Sequence, residues 1–304
     1  MTLLTPRAVG RAWGVLLAGL VLWLVALPAL AQDVTAEPAP AARFDIELQA
    51  PEDLLDLLLR HMALQRFRTL SDLDAEELAR LLAQARNDIE DLLGTQGYFA
   101  PEIVIDPPSP GTAPLDTVRL RVTPGPATLV ASVHVFFRGD IGDRPDQAAR
   151  REAIAADWTL KAGERFTQAG WSDAKAVALR SLTAQRYPLA RVYNSLADID
   201  PQARVAHLTV EFDSGPPVQL GELHVDGAER YDSAAVGHVL ALAGLRPGVD
   251  YDLAVLQQAQ QRLSETGYYE SAYVTVEPSA EGAPAAVRVQ LRETKRQQVS
   301  VGVG

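Results

Sequence analysis

The chain has 304 residues, of which 47% are hydrophobic and 22% are charged, and its formal net charge at pH 7 is −11. This acidic balance does not suit a protein that binds the phosphate backbone of nucleic acids, because that function needs basic surface. The absence of cysteine excludes disulfide bonds, thiolate metal sites and cysteine nucleophiles.

The N-terminus has the pattern of a secretory signal peptide. Arg7 and Arg11 precede an uncharged, mainly apolar stretch that closes with Ala-Leu-Ala at Ala31. A basic start, an apolar core and small residues at the end predict a signal peptide in residues 1–31, cleaved after Ala31. The alternative is a retained membrane anchor, because about 20 uncharged residues can span a bilayer. Residues 32–42, rich in alanine and proline, are predicted to form a disordered leader.

One pattern occurs three times and organises the rest of the chain. It consists of the end of an amphipathic helix, a turn, an aromatic residue and the beginning of a strand. The copies are LGTQGYFAPEIVI from Leu93, LTAQRYPLARV from Leu182 and LSETGYYESAYVTV from Leu263. Gly97 and Gly267 suit a helix end, where a left-handed residue closes the last turn. The second copy has Arg186 instead, which leaves its turn geometry open. Such recurrence indicates a repeat protein.

Two glycine-proline links divide the folded part into three units. Gly125 and Gly215, each followed by proline, lie 90 residues apart, as do His134 and His224. We therefore predict units at residues 43–125, 126–216 and 217–295. Each unit has the predicted order strand, helix, helix, strand, strand, which is an α+β fold. The helix pair must cover one face of a three-stranded sheet, because neither layer can bury its apolar surface alone.

The boundaries of the elements follow from apolar periodicity and from cap residues. In the first unit, one helix is expected to begin near Pro51 and the next to be capped by Asp72 or Asp74. In the second unit, helices are predicted to end near Leu160 and near Ala184. The closing strands are predicted at residues 103–105 and 117–122, then 187–193 and 203–212, then 272–277 and 286–292.

The sequence offers no catalytic or cofactor-binding constellation. Its five histidines lack metal-ligand spacing, and it has no phosphate-binding or nucleophile-elbow motif. Asp140, Asp143 and Asp146 could suggest a calcium site, but no EF-hand glycine or terminal glutamate follows in register, so a solvated acidic turn is favoured. We therefore expect a protein that is not an enzyme, with no catalytic residue, no metal and no cofactor.

The repeated unit resembles the POTRA domain of the Omp85 superfamily. The order of elements, the glycine-aromatic turn and the glycine-proline link carry the resemblance, and LGTQGYF and LSETGYYES fit it well. Three copies behind a signal peptide are most similar to the TamA family, the outer-membrane subunits of the translocation and assembly module. Its members have three POTRA domains followed by an outer-membrane β-barrel.

The resemblance implies a role in assembling outer-membrane proteins and autotransporters. It implies an outer-membrane protein of a Gram-negative bacterium, with these units in the periplasm. The implied partners are unfolded client chains, the outer membrane through a barrel and an inner-membrane TamB-like protein; nucleic acid is not expected.

The C-terminal residues 296–304 contain an alternating pattern. Val299, Val301 and Val303 alternate with serine and glycine, which is typical of a barrel strand with one face toward lipid. We therefore interpret residues 296–304 as the start of the first β-barrel strand. The alternative is a polar tail on a complete soluble protein.

Two other functional interpretations remain. Another POTRA–barrel protein, such as a BamA-like insertase or a two-partner secretion transporter, would share the repeat, but the former carry more copies and the latter fewer. A membrane-anchored periplasmic POTRA interaction protein would retain the N-terminal segment and carry one copy. The count of three favours the TamA family.

The main chain itself is the expected binding element. A three-stranded sheet has exposed edges with unpaired N–H and C=O groups, to which an unfolded client can add a strand with little demand on its sequence. The strand after each turn is the candidate edge, as it is in POTRA domains. The candidate residues are Glu102, Ile103, Val104, Ile105, Ala190, Arg191, Val192, Tyr193, Ser271, Ala272, Tyr273, Val274, Thr275 and Val276. The alternative is that neighbouring units cover these edges.

Overall fold

The computed structural model describes residues 44–69, 74–107, 116–278 and 282–294. Within these ranges the chain forms three successive units, each with a three-stranded sheet covered by helices. The predicted α+β class and the threefold order are confirmed. The predicted signal peptide, leader and first barrel strand lie outside the described residues.

The first unit begins with one strand, continues with two helices and ends with two strands. Its elements are β1 (Phe44–Gln49), α1 (Glu52–His61), α2 (Ala75–Thr95), β2 (Glu102–Asp106) and β3 (Asp116–Thr123). The cap of α2 is Asp74, whose carboxylate accepts a hydrogen bond from the N–H of Glu77 at 2.8 Å. This bond satisfies one of the free N–H groups at the helix start. The other predicted cap, Asp72, lies outside the described residues.

The second and third units repeat this order, with an additional four-residue helix in the second. The second contains β4 (Leu129–Arg138), α3 (Asp140–Asp143), α4 (Ala148–Ala156), α5 (Gln168–Thr183), β5 (Arg191–Asp200) and β6 (Val205–Asp213). The third contains β7 (Leu220–Asp226), α6 (Ser233–Leu242), α7 (Leu253–Glu265), β8 (Tyr269–Glu277) and β9 (Ala285–Glu293). Thr167 caps α5 and Asp252 caps α7, each through its side-chain oxygen.

The last strand of each unit lies in the centre of its sheet. The strand orders are β1-β3-β2, β4-β6-β5 and β7-β9-β8. The first strand runs parallel to the central strand and the second runs antiparallel to it. Both the first and the second strand of every unit are therefore edge strands.

Each unit has its own apolar core between sheet and helices. Leu58, Ile89 and Leu93 are fully buried in the first, and the core of the third includes Leu240 and Leu263. The core of the second contains the four buried residues of one face of β6, one tryptophan of α5 and one that follows α4: Ala206, Leu208, Val210, Phe212, Trp171 and Trp158. Alternation along the central strand therefore supplies one apolar face for the helices.

The first of the two closing strands of the second unit, predicted at residues 187–193, begins later in the chain than expected. Tyr187 is fully buried, and its carbonyl accepts a hydrogen bond from the N–H of Ala190 at 3.0 Å, so this segment is a turn. The strand β5 begins at Arg191 and continues to Asp200. The candidate residue Ala190 consequently precedes the strand. The first long helix of this unit also ends earlier than expected, at Ala156.

None of the helices in the described ranges combines the length and the apolar composition that crossing a membrane requires.

Candidate functional site

The three repeated turns share a left-handed backbone residue. The φ angle is 86° at Gly97, 62° at Arg186 and 73° at Gly267. Arginine therefore takes the same conformation as the two glycines, although a left-handed conformation costs a residue with a side chain about 1 kcal/mol. Its guanidinium bonds to the carboxylate of Asp250 at 2.8 Å and lies 4.0 Å from that of Asp140. These interactions offset the strain at residue 186.

The turn of the first unit is bonded into the second unit. The carbonyl of Gly97 accepts a hydrogen bond from the N–H of Thr128 at 2.8 Å, and the carbonyl of Thr128 accepts one from the N–H of Phe166 at 2.9 Å. The rings of Phe99 and Phe166 pack beside this pair, with centroids 6.0 Å apart. The first turn therefore forms part of a junction between units.

The turn of the second unit makes the same contacts with the third. The N–H of Val218 donates to the carbonyl of Arg186 at 2.8 Å, and the N–H of Tyr251 donates to the carbonyl of Val218 at 2.9 Å. The N–H of Arg186 also donates to the carbonyl of Tyr251 at 2.7 Å. Two successive junctions therefore use one main-chain pattern.

The edges formed by β4 and β7 are partly occupied at their beginnings. The N–H of Val130 donates a hydrogen bond to the carbonyl of Glu164, and the carbonyl of Val130 accepts one from the N–H of Gly163, both at 2.8 Å. In the third unit, Leu220 forms the corresponding pair of bonds with Val249 and Gly248. A loop of the same unit thus covers the start of the first strand, so these edges offer less free main chain.

The predicted edge strands differ in length and in their surroundings. β2 has 5 residues, β5 has 10 and β8 has 9. The candidates Glu102–Ile105 lie in β2, Arg191–Tyr193 begin β5, and Ser271–Val276 lie in β8. In the described part of the chain, each of these strands is paired with a strand on one side, its own central strand. The structure therefore places these candidates at sheet edges, and their binding of a client stays a prediction.

One edge amide of β8 is already bonded to a side chain. The Oε1 atom of Gln260, on helix α7, accepts a hydrogen bond from the N–H of Val274 at 3.2 Å. Because successive amides of a strand alternate in direction, the N–H groups of Ala272 and Val276 point outward like that of Val274. The glutamine thus occupies the middle one of three edge amides, and an added strand has to displace it.

The second unit has a lysine where the third has this glutamine. Lys175 follows the cap Thr167 by eight residues, and Gln260 follows the cap Asp252 by eight. The ammonium group of Lys175 donates to the hydroxyl of Ser195 at 3.3 Å. An ammonium group has no acceptor atom, so it cannot bond to an N–H group. Lysine therefore cannot occupy an edge amide as the glutamine does.

The strand residue that corresponds to Val274 is Ser195. Ser195 pairs with Val210, and Val274 pairs with Val289. On their other side, Val210 pairs with Val135 and Val289 pairs with Val225. Val135 and Val225 lie 90 residues apart and so occupy the same place in the repeat. By this equivalence the N–H group of Ser195 points outward from the free edge of the sheet. The N–H groups of Ala197 and Ile199, two and four residues farther along, point the same way. Within the described ranges no side chain accepts a hydrogen bond from the N–H of Ser195.

A groove runs between helix α2 of the first unit and the β5 edge, with a volume of about 340 Å³. Its lining residues are Glu90, Asp91, Gly94, Thr95, Phe99, Phe166, Gln168, Ala197 and Ile199. The aromatic and aliphatic residues form its apolar surface, and two carboxylates stand on its α2 side. The groove lies beside the outward-pointing amides, so a strand added to β5 would place alternate side chains in it.

A similar groove of about 410 Å³ accompanies β8. It is lined by Pro188, Tyr251, Leu253, Leu256, Gln257, Gln260, Val274, Thr275, Val276 and Pro278. Gln260 lies in this groove as well as on the strand edge, and none of the described residues that line it is an aspartate or a glutamate. The two grooves therefore differ in access to the main chain and in charge.

The open face of the second sheet carries exposed apolar side chains beside β5. Leu196 is 59% exposed and Phe136 is 54% exposed. Tyr193 lies under the guanidinium of Arg138, whose central carbon is 3.9 Å from the ring centroid. Farther along the strand, Asp198 and Asp200 are exposed. Sequence reasoning missed this half of β5, although the alternation of apolar and acidic residues from Leu196 to Asp200 is a strand signal.

Two of the three carboxylates in the acidic loop that could suggest calcium bond to other side chains of the protein. Asp140 accepts a hydrogen bond from the hydroxyl of Tyr187 at 2.8 Å, and Asp146 bonds to Arg144 at 3.0 Å. The hydrogen bond from Arg144 lowers the pKa of Asp146 to about 2. Among the residues that the structure describes, no three histidine or acidic side chains are grouped to hold a metal.

No protein-family model matches the sequence. Among solved structures, the chain is similar to a fragment containing POTRA domains 3–5 of BamA from Haemophilus influenzae, with 18% identity, 83% of this chain and 96% of that chain covered, and a TM-score of 0.46. It is similar to POTRA domains 1–3 of the periplasmic domain of Omp85 from Anabaena, with 17% identity, 83% and 95% coverage, and a TM-score of 0.32. For CdiB from Acinetobacter baumannii the identity is 14%, the coverage 74% and 40%, and the TM-score 0.31.

Proposed function

We propose that these three units are the periplasmic, client-binding part of an outer-membrane protein that assembles or secretes other proteins. A client in an extended conformation adds a strand to the free edge of a sheet, and its main chain supplies most of the hydrogen bonds. The observation that carries this proposal is the position of β2, β5 and β8 at sheet edges. The protein acts as a binding platform and not as an enzyme.

The more specific form of the proposal places the chain in the TamA family. The three units, the signal-like N-terminus and the alternating residues 296–304 support it. The clients are then unfolded outer-membrane proteins or autotransporters, and an inner-membrane TamB-like protein is the partner. The net charge of −11 favours basic segments of such partners over anionic lipid surfaces.

The test measures amide hydrogen exchange of the full chain with and without an unfolded outer-membrane β-barrel protein diluted from urea. Strand addition protects the outward-pointing amides of at least one edge strand, because they gain hydrogen-bond partners. Unchanged exchange in β2, β5 and β8 at saturating client would refute the proposal.

A proline substitution adds a second measurement. Ala197→Pro removes an outward-pointing N–H without breaking a bond of the sheet, because proline is tolerated on edge strands in that orientation. Ala197→Val keeps the N–H and serves as its matched control. Both variants are first compared with the unaltered chain by circular dichroism, and weaker client binding by the proline variant alone is the expected result.

A further inference from the structure

The three edges are not equally able to receive a strand, and β5 differs from the other two. It has 10 residues against 5 in β2, so it can form more main-chain hydrogen bonds. It is similar in length to β8, but the N–H of Val274 in β8 is already bonded to Gln260. At the corresponding place Lys175 bonds to the hydroxyl of Ser195 and leaves the N–H of that residue available.

The surroundings of β5 indicate the chemistry of the segment that it receives. On the helix side, Ala197 and Ile199 line the groove together with Phe99 and Phe166, which suits apolar side chains. A strand buries alternate side chains on one face, so every second residue of the incoming segment should be apolar. The volume of about 340 Å³ is large enough for a few aliphatic side chains.

The remaining positions of the incoming segment lie over the open face of β5, where the exposed Leu196 is followed by the exposed carboxylates of Asp198 and Asp200. Glu90 and Asp91 add exposed negative charge on the α2 side of the groove. None of these carboxylates forms an ion pair with any of the residues that the structure describes. Complementary charge across a binding surface favours the matching partner and speeds its association, so the other residues should be lysine or arginine.

We propose that β5 is the principal docking edge and that it takes an extended segment of a client chain in which apolar residues alternate with basic ones. Gln260 keeps the β8 edge closed to such segments. This inference rests on the proposed function, because it assigns the segment and the edge for strand addition. Lys175 and Gln260 occupy equivalent positions in the second and third units, and the difference between them determines which edge can receive a strand.

The test uses a twelve-residue peptide of alternating valine and lysine. A peptide of the same length with alternating valine and glutamate is the control. Both are added to the full chain, and binding is followed by fluorescence anisotropy and by amide exchange. The valine–lysine peptide is expected to bind and to protect Ser195, Ala197 and Ile199. Equal binding of the two peptides would remove the assignment of a basic segment.

Two substitutions of Lys175 separate the loss of the lysine from the gain of an acceptor. Lys175→Gln introduces the acceptor that β8 has, whereas Lys175→Met keeps a long unbranched side chain without a strong acceptor. The glutamine variant should bind the peptide about three- to tenfold more weakly than the methionine variant, which is the effect of one competing hydrogen bond. Identical affinities of the two variants would overturn the proposal.

The reverse exchange in the third unit is an independent measurement. Gln260→Lys should release the N–H of Val274 and let the peptide protect β8. If one variant fails to fold by circular dichroism, the other still tests the pair, because the substitutions lie in different units. Absence of new protection in a folded Gln260→Lys variant would contradict the role of this glutamine.

A charge control addresses nonspecific attraction to an acidic chain. Glu90→Gln with Asp91→Asn should weaken binding of the valine–lysine peptide more than Glu152→Gln with Asp157→Asn, which removes the same charge from exposed positions at α4. Equal weakening by the two pairs would refute the assignment of the groove carboxylates.

The failures of the two proposals are distinguishable. If the peptide protects β2 or β8 but not β5, strand addition stands and the choice of β5 is wrong. If unfolded client and peptide leave the exchange of all three edges unchanged, both proposals are wrong.

Discussion

The backbone of Gly97 in the first unit lies against the carbonyl group of Phe166 in the second, so closely that a Cβ atom at residue 97 would overlap the carbonyl oxygen. Gly267 occupies the same place in the repeat, but a Cβ atom there would have no described atom within 4 Å. The same residue type therefore serves a turn in one unit and both a turn and a junction in another.

Alanine substitutions separate these two roles. Gly267→Ala should cost about 1 kcal/mol, because only the left-handed conformation is penalised. Gly97→Ala adds a clash with backbone, so it should cost more and should loosen the junction. Thermal unfolding and limited proteolysis between residues 123 and 129 measure the two effects. Equal stability of the two variants would show that the contact with Phe166 is unimportant.

Arg186 should make the second junction sensitive to salt. Arg186→Gly relieves backbone strain of about 1 kcal/mol, but it removes the ion pairs with Asp250 and Asp140. Partly exposed ion pairs of this kind contribute up to about 1 kcal/mol and weaken as salt screens them. The variant should therefore be less stable than the unaltered chain at low salt and equal to it or better near 1 M salt. Denaturant unfolding at the two salt concentrations measures this, and a difference that is the same at both would count against the ion pairs.

Tyr187→Phe should destabilise the second unit at neutral pH. Its hydroxyl donates to Asp140, and loss of a hydrogen bond to a charged group costs about 1.5–3 kcal/mol. Tyr251→Phe is a suitable control, because the hydroxyl of Tyr251 has no hydrogen bond to any described residue. Equal destabilisation by the two changes would argue against a role for the bond to Asp140.

The same tyrosine predicts a loss of stability in alkali. Burial, together with the hydrogen bond to Asp140, raises the pKa of Tyr187 from 10.0 to about 12. A raised pKa in the folded state gives stability that is complete below pH 10 and is lost as the pH rises toward 12. The unaltered chain should therefore lose more stability than the Tyr187→Phe variant between pH 9 and 11. Thermal unfolding across this range measures the difference, and parallel curves would contradict it.

Glu293 should make the third unit sensitive to acid. Desolvation acts to raise its pKa, but hydrogen bonds from the side chain and N–H of Arg230 and from the N–H groups of Tyr231 and Glu229 lower it to about 2, from 4.5. A lowered pKa in the folded state gives stability that is present above pH 4.5 and is lost as the pH falls toward 2. Glu293→Gln should therefore flatten the decline in melting temperature between pH 5 and 2.5. Glu270→Gln, at an exposed position of the same unit, should leave that decline unchanged.

The order of elements and the number of units could be predicted because they depend on local patterns. The turn residues, the glycine-proline links and the apolar periodicity recur at equivalent positions, and each acts within a few residues of chain. The left-handed conformation of Arg186 could not be predicted, because the acids that bond to it are Asp140 and Asp250, distant in sequence. The start of β5 was predicted too early because Tyr187 and Ala190 resemble strand residues, although they form a turn in which Tyr187 is buried.

The candidate site was predictable as a class of element and not in its details. Residue type and spacing are enough to specify three α+β units, their repeated turns and strands suited to a sheet edge. Tertiary structure decided that the last strand of each unit is central, that Gln260 meets the amide of Val274 while Lys175 meets a hydroxyl, and that α2 of one unit forms a groove with β5 of the next. These contacts join residues far apart in the chain, so no local pattern specifies them.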